Sequence, residues 1–130
     1  MCHISAQIII VDDDAAVRDA LRFALESEGL CVRLFGSGQD LLDSGPLPDS
    51  GCLVIDYNMP GMDGVELVTI LRGREVKLPT ILIASRLSTE LRVRAATSGI
   101  KFVLEKPLSD DALMQTLSRA LSNPDQFAEN

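Results

Sequence analysis

A chain of 130 residues, 46% hydrophobic and 24% charged, has the length of one domain and enough apolar side chains to bury a core, which excludes a disordered polymer. A formal charge of -7 excludes the basic face that displaces counterions from phosphates, so no direct nucleic-acid partner is expected. No run of 18 apolar residues and no charged segment leading into a short apolar one occurs, so neither a membrane helix nor a secretory leader is read, and the expected location is cytoplasmic.

Residues 1–7 read as a tail, 8–122 as one folded domain and 123–130 as a second tail. His3, the only histidine, falls in the first tail and is expected to be inert. Cys2, Cys31 and Cys52 are odd in number and lack metal-ligand spacing, so reduced thiols are expected.

Residues 8–11 (IIIV) are consecutive β-branched side chains, the pattern of a strand covered on both faces, and they run straight into Asp12, Asp13 and Asp14. From residue 15 to about 27, Val17, Leu21, Ala24 and Leu25 recur at helical spacing, with Asp14 as N-cap and Gly29 as stop. A second strand is predicted over 30–35 and a short helix from Ser37 to about residue 42. Pro46 and Pro48 then mark a loop over 44–51.

The stretch 53–64, LVIDYNMPGMDG, is the most informative. A buried strand over 52–55 ends on Asp56, and Met59-Pro60-Gly61 and Asp63-Gly64 forbid continuation of strand or helix. Two readings of Asp56 stand side by side: a turn initiator, or a carboxylate held over a crevice at a strand's carboxyl end. A helix over 65–72 follows, then a strand over 80–84 ending at Ser85. The polar helix over 88–97 has thin apolar content, so it is expected to lie on the surface and to be the most mobile element. A fifth strand over 102–104 runs into Glu105, Lys106 and Pro107. Ser109 caps a last helix, with Asp110 and Asp111 at its positive end.

Five strands alternating with five helices predict an α/β fold, a parallel sheet covered on both faces. After Leu121 only residues 122–130 remain, too few for an output module, so a lone domain or a trimmed piece is expected. Asp12 and Asp13, Asp56, and Lys106 then share one end of the sheet. Carboxylates so gathered stay ionised together only beside a cation, and their oxygens suit Mg²⁺, with the Asn58 backbone carbonyl as a further ligand. A lysine that neutralises a phosphoryl oxygen next to a metal-bound carboxylate is equipment for phosphoryl transfer onto Asp56. Pro107 is read as aiming Lys106 inward through a cis bond.

The segments VDD at 11–13, DYNMPGMDG at 56–64 and KP at 106–107, in that order, resemble those of bacterial response-regulator receiver domains, and the match covers residues 8–121. The resemblance implies a flavodoxin-like sandwich with strand order 2-1-3-4-5. It implies Asp56 as phosphoacceptor for a sensor histidine kinase, Mg²⁺ held by Asp13, Asp56 and the Asn58 carbonyl, Asp12 assisting through water, and Lys106 on the phosphoryl group. It implies no enzyme in the ordinary sense, but a domain that catalyses its own phosphorylation and dephosphorylation. Downstream it implies a protein contact: a histidine phosphotransfer protein, a hybrid kinase, another effector, or a homodimer through helix 4, strand 5 and helix 5.

Two positions depart from the family. Its strand-four hydroxyl falls on Ala84, so either a one-residue shift brings Ser85 to the phosphate or the hydroxyl is missing. Its switch aromatic falls on Val103, with Phe102 expected on the opposite side of the strand. Arg86 is read either as a cation overhanging the phosphorylated site or as a solvated surface arginine. Two rival functions are also carried: a phosphorylation-independent interaction module that keeps the acidic pocket as a relic, and a haloacid-dehalogenase-type phosphatase. The latter would use Asp12 as nucleophile and Asp14 as acid-base, with Ser85, Lys106 and Asp110-Asp111 in the remaining roles.

Overall fold

Alternate residues of a strand point to opposite faces, so a strand apolar at every position needs cover on both sides. The computed structural model, which describes residues 7–122, supplies that cover. Strands β1 (Gln7–Val11), β2 (Cys31–Phe35), β3 (Gly51–Asp56), β4 (Thr80–Ala84) and β5 (Phe102–Glu105) alternate with helices α1 (Ala15–Glu26), α2 (Gly38–Asp43), α3 (Gly64–Gly73), α4 (Thr89–Thr97) and α5 (Asp110–Ser122). All strand pairs are parallel, in the order β2-β1-β3-β4-β5. This is the fold and strand order expected.

Ile8, Ile10, Cys52, Val54, Ile81 and Ile83 face α1 and α5 through Leu21, Leu25, Leu113 and Leu117. Ile9, Val11, Leu53, Ile55 and Leu82 face the other way, onto Leu41 of α2, Val65, Val68 and Leu71 of α3, and Leu91 and Ala95 of α4. Each fully buried aliphatic side chain contributes about 1.5–3 kcal/mol of transfer free energy. A one-residue slip of any central strand would exchange its two faces.

The caps follow the sequence. Asp14 accepts from the Ala16 and Val17 N–H groups, Ser37 from Asp40, Ser88 from Leu91 and Ser109 from Ala112. At α3, Asp63 and Glu66 form a reciprocal capping box. Gly64 is required there for a different reason. A Cβ on it would lie 2.7 Å from the Asp56 carbonyl oxygen and 2.8 Å from Leu82 Cδ1, so only glycine lets α3 start this close to the end of β3.

Three strands run a little wider than expected, β1 beginning at Gln7, β3 taking in Gly51 and Asp56, and β5 taking in Glu105, while β2 begins one residue later, at Cys31. The cysteine expectation needs correcting. Cys52 is free and fully buried, and burial pushes its thiol up to about 12, but Cys31 is disulfide-bonded. Cys31 opens the edge strand β2 and is only half-buried, so its sulfur is not enclosed as that of Cys52 is. The expectations for Cys2 and His3 concern residues outside the described ones. No described helix is long and apolar enough to cross a membrane.

Arg72, at the end of α3, is a structural residue that helical periodicity did not single out. Its guanidinium donates to the carbonyls of Val76 and Leu78 at 3.1 Å each, to Thr80 Oγ1 at 3.4 Å and to the Gly99 carbonyl at 3.3 Å. Desolvation lowers its pKa, and it tacks α3, the start of β4 and the α4–β5 turn together. Arg72→Met keeps the aliphatic stem but strands these acceptors, and is expected to cost about 2–3 kcal/mol in urea unfolding. An unchanged unfolding midpoint would show that water replaces the guanidinium.

Candidate functional site

β1 and β3 lie side by side with Val11 opposite Ile55, so the residues that follow them, Asp12 and Asp13, emerge next to Asp56. Carboxylate oxygens of Asp12, Asp13 and Asp56 all lie within 4.8 Å of one another. Asp12 and Asp56 are 5% and 3% exposed, while Asp13 is open to solvent. From the far side, β5 delivers Lys106, whose Nζ stands 3.1 Å from Asp56 Oδ1. The Lys106-Pro107 peptide is cis, and the Lys106 N–H donates to the Ala84 carbonyl.

Backbone donors hold two of the carboxylates. The Asp14 N–H donates to Asp12 Oδ1 at 2.9 Å, and the Asn58 N–H donates to Asp56 Oδ1 at 3.2 Å. Burial pushes the Asp12 carboxyl above its ordinary value, the Asp14 N–H partly opposes this, and the Asp56 charge adds to the rise. Three carboxylates against one ammonium leave a surplus of negative charge on oxygen donors. That donor set fits a hard divalent cation, which would take oxygens of Asp13 and Asp56 directly and reach Asp12 through water.

A raised carboxyl pKa has a defined consequence for stability. The contribution of Asp12 is complete below about 3.8, its ordinary value, and is lost as pH rises through its folded pKa, so near neutrality the ionised cluster destabilises the metal-free protein. Asp12→Asn keeps an acceptor for the Asp14 N–H and is expected to raise the metal-free melting temperature at pH 7 by roughly 2–5 °C. The gain should vanish under acid conditions where Asp12 is already protonated. A pH-independent difference would assign it to packing instead.

Ala84 ends β4, is fully buried and pairs in register with Glu105, while Ser85 lies beyond the strand, exposed, its N–H donating to Asn58 Oδ1 at 2.9 Å. Arg86 is exposed. Val103 packs with the α2, α3 and α4 side of the core and Phe102 with the α1 and α5 side, on opposite faces as expected. Asp110 and Asp111, which a phosphatase would need in the site, form the first turn of α5.

Several neighbours of the site were not legible from spacing. Arg18 Nη1 donates to the Asp12 carbonyl at 2.7 Å. Arg94 of α4 donates to the Tyr57 hydroxyl at 2.8 Å and reaches Asp63 Oδ2 at 3.4 Å. Glu105 Oε2 accepts from the Leu87 N–H at 3.4 Å. Each looks in the sequence like a solvated charge, and only the folded chain shows what it meets.

Residues 8–118 match the family of the response regulator receiver domain. The chain belongs to that family. The receiver domain is 37% identical over 123 residues to the transcriptional regulatory protein FixJ of Bradyrhizobium diazoefficiens, an alignment covering 95% of the chain and 60% of FixJ. It is 39% identical to the C4-dicarboxylate transport transcriptional regulatory protein DctD of Pseudomonas aeruginosa over 88% of the chain and 25% of DctD. Among solved structures, full-length FixJ from B. japonicum superposes with a TM-score of 0.83 at 36% identity, covering 95% of the receiver domain and 61% of FixJ. The Vibrio cholerae chemotaxis protein CheY4 superposes at 0.82 and 28% identity, over 89% of this chain and 98% of that one. The chain thus spans about 60% of FixJ and a quarter of DctD. Receiver domains belong to two-component systems, partner sensor histidine kinases and bind Mg²⁺ at an acidic pocket, and in this chain Asp12, Asp13 and Asp56 form an acidic cluster at the end of the sheet.

Proposed function

We propose that this receiver domain, over residues 8–122, accepts a phosphoryl group on Asp56 from the phosphohistidine of a sensor kinase. The observation that carries the reading is the placement of Lys106 Nζ 3.1 Å from a 3%-exposed carboxylate inside a three-carboxylate cluster. An Asp56 oxygen attacks phosphorus, the bond from phosphorus to imidazole nitrogen breaks, and an acyl phosphate and free imidazole result. Lys106 neutralises a phosphoryl oxygen as charge shifts. Asp13, Asp56 and the Asn58 carbonyl would hold Mg²⁺, with Asp12 assisting through water; when bound, the ion supplies the positive charge that lets the carboxylates and the phosphoryl oxygens share one pocket.

Kinase docking is proposed on the rim of the pocket and the outer face of α1, where Ala15, Ala16 and Ala20 are exposed and Phe23 is 78% exposed. An apolar strip beside a charged crevice suits packing of a helix whose histidine must reach Asp56. The output is proposed to be a protein contact through an atypical switch, because Ala84 offers no hydroxyl and Val103 no aromatic ring. Ala84 and Val103 also keep a second reading in view, an interaction module that no longer takes phosphate.

Incubation with acetyl phosphate and Mg²⁺, followed by mass mapping of the labelled peptide, decides among these. Label on Asp56 is the expected result. Label on Asp12 would indicate a phosphatase, and a folded protein that takes no label would indicate the relic module.

A further inference from the structure

We propose that Arg94 is a positioning residue that latches α4 to the loop following Asp56, and so stands in for the missing hydroxyl and aromatic in carrying the state of Asp56 to α4. The signalling half of this inference rests on the proposed phosphoacceptor role.

The latch is built from both ends of the loop. Tyr57 directly follows Asp56, and its N–H donates to the Ile83 carbonyl at 2.7 Å. Its hydroxyl accepts from Arg94 Nη1 at 2.8 Å, and the same guanidinium stands 5.7 Å from its ring centroid. At the other end of the loop, Asp63 divides its two oxygens. Oδ1 caps α3 by accepting from the Glu66 N–H at 2.8 Å, and Oδ2 faces Arg94 Nη2 at 3.4 Å. One side chain of α4 therefore grips the loop next to the carboxylate and again where α3 begins.

The C-terminal end of α4 is tied separately, by the Thr69 and Ser98 hydroxyls at 3.0 Å and by Arg72 on the Gly99 carbonyl, but the body of the helix has few other anchors. Leu91 and Ala95 are its only buried residues, and Val93 is 59% exposed. Its approach segment is held by single contacts, Ser85 N–H to Asn58 Oδ1 and Leu87 N–H to Glu105 Oε2. Between that segment and the latch lies a crevice of about 190 Å³ lined by Tyr57, Asn58, Ser85, Arg86 and Leu91, room for Tyr57 and α4 to move together. An element with few apolar anchors takes its position from its polar contacts, and the two made by Arg94 lead back to the loop beside Asp56.

The test compares the parent with Arg94→Met, Tyr57→Phe, Arg94→Lys and, as control, substitution of the exposed neighbour Arg92→Met. In the unliganded proteins, amide hydrogen exchange across residues 89–97 is expected to quicken roughly three- to fivefold in Arg94→Met, with exchange in α3 and the sheet unchanged. Tyr57→Phe should add little on top of Arg94→Met, Arg94→Lys should restore part of the protection, and Arg92→Met should leave it unchanged. With Mg²⁺ and beryllofluoride, the parent is expected to show chemical-shift changes at Asp56 and through α4. In Arg94→Met the changes at Asp56 should persist while most of those in α4 are lost. An α4 response equal to the parent's, or unaltered exchange in unliganded Arg94→Met, overturns the latch. Failure of beryllofluoride to perturb Asp56 in the parent overturns the phosphoacceptor reading and the signalling role with it; the exchange data, which need no ligand, still decide whether the latch exists.

Discussion

Asp56→Asn is expected to abolish uptake of phosphoryl from acetyl phosphate while leaving the fold standing. Both contacts to this side chain, from Lys106 Nζ and from the Asn58 N–H, are made to the same oxygen, Oδ1. An amide can place its single oxygen there and keep both. What it loses is the second oxygen and the negative charge, and an amide nitrogen is no nucleophile toward phosphorus. The stability change should therefore stay within about 1 kcal/mol, since removing one carboxylate from a repelling cluster offsets the weaker pairing with Lys106. Intact-mass measurement after incubation with the phosphodonor and Mg²⁺ reads the first effect, and urea unfolding the second. Uptake by Asp56→Asn at the parental rate would remove the basis of the proposed function.

The second large effect belongs to Lys106→Met, and its two consequences have opposite signs. The rate of phosphoryl uptake should fall about 10²–10³-fold, the usual loss when one preorganised donor to a developing charge is removed. Mg²⁺ should bind more tightly, because an ammonium 3.1 Å from Asp56 Oδ1 competes with a cation for the same oxygens. Without metal, Asp56 is left buried and unpaired. The full cost for such a pair is about 3–5 kcal/mol, but the Lys106 side chain is 34% exposed, so a destabilisation of about 1–2 kcal/mol is expected after solvent screening. Titration of Mg²⁺ followed by tyrosine fluorescence, beside initial rates of labelling, checks both signs. If affinity and rate fall together, Lys106 is organising the metal site and not the phosphoryl group.

The sequence alone determined the layers of this protein. Runs such as IIIV at 8–11 and TILIA at 80–84 have no polar face to turn to water, and amphipathic stretches lie between them, so a parallel sheet between helices was the arrangement that hid them. The caps Asp14 and Ser109 were legible for the same local reason: each satisfies N–H groups within three residues of itself. Strand ends could likewise be read as the place where Asp12, Asp13, Asp56 and Lys106 gather.

Tertiary structure alone decided the long-range polar contacts. Arg72, Arg18 and Arg94 are spaced like exposed helix residues, yet Arg18 meets a carbonyl 6 positions away, Arg72 one 27 away and Arg94 a hydroxyl 37 away. Apolar burial is non-directional and roughly proportional to area, so a pattern of residue types is enough to forecast it. A hydrogen bond between distant residues needs atoms brought within about 3 Å at a set angle, and only the packed chain settles which pairs meet that condition.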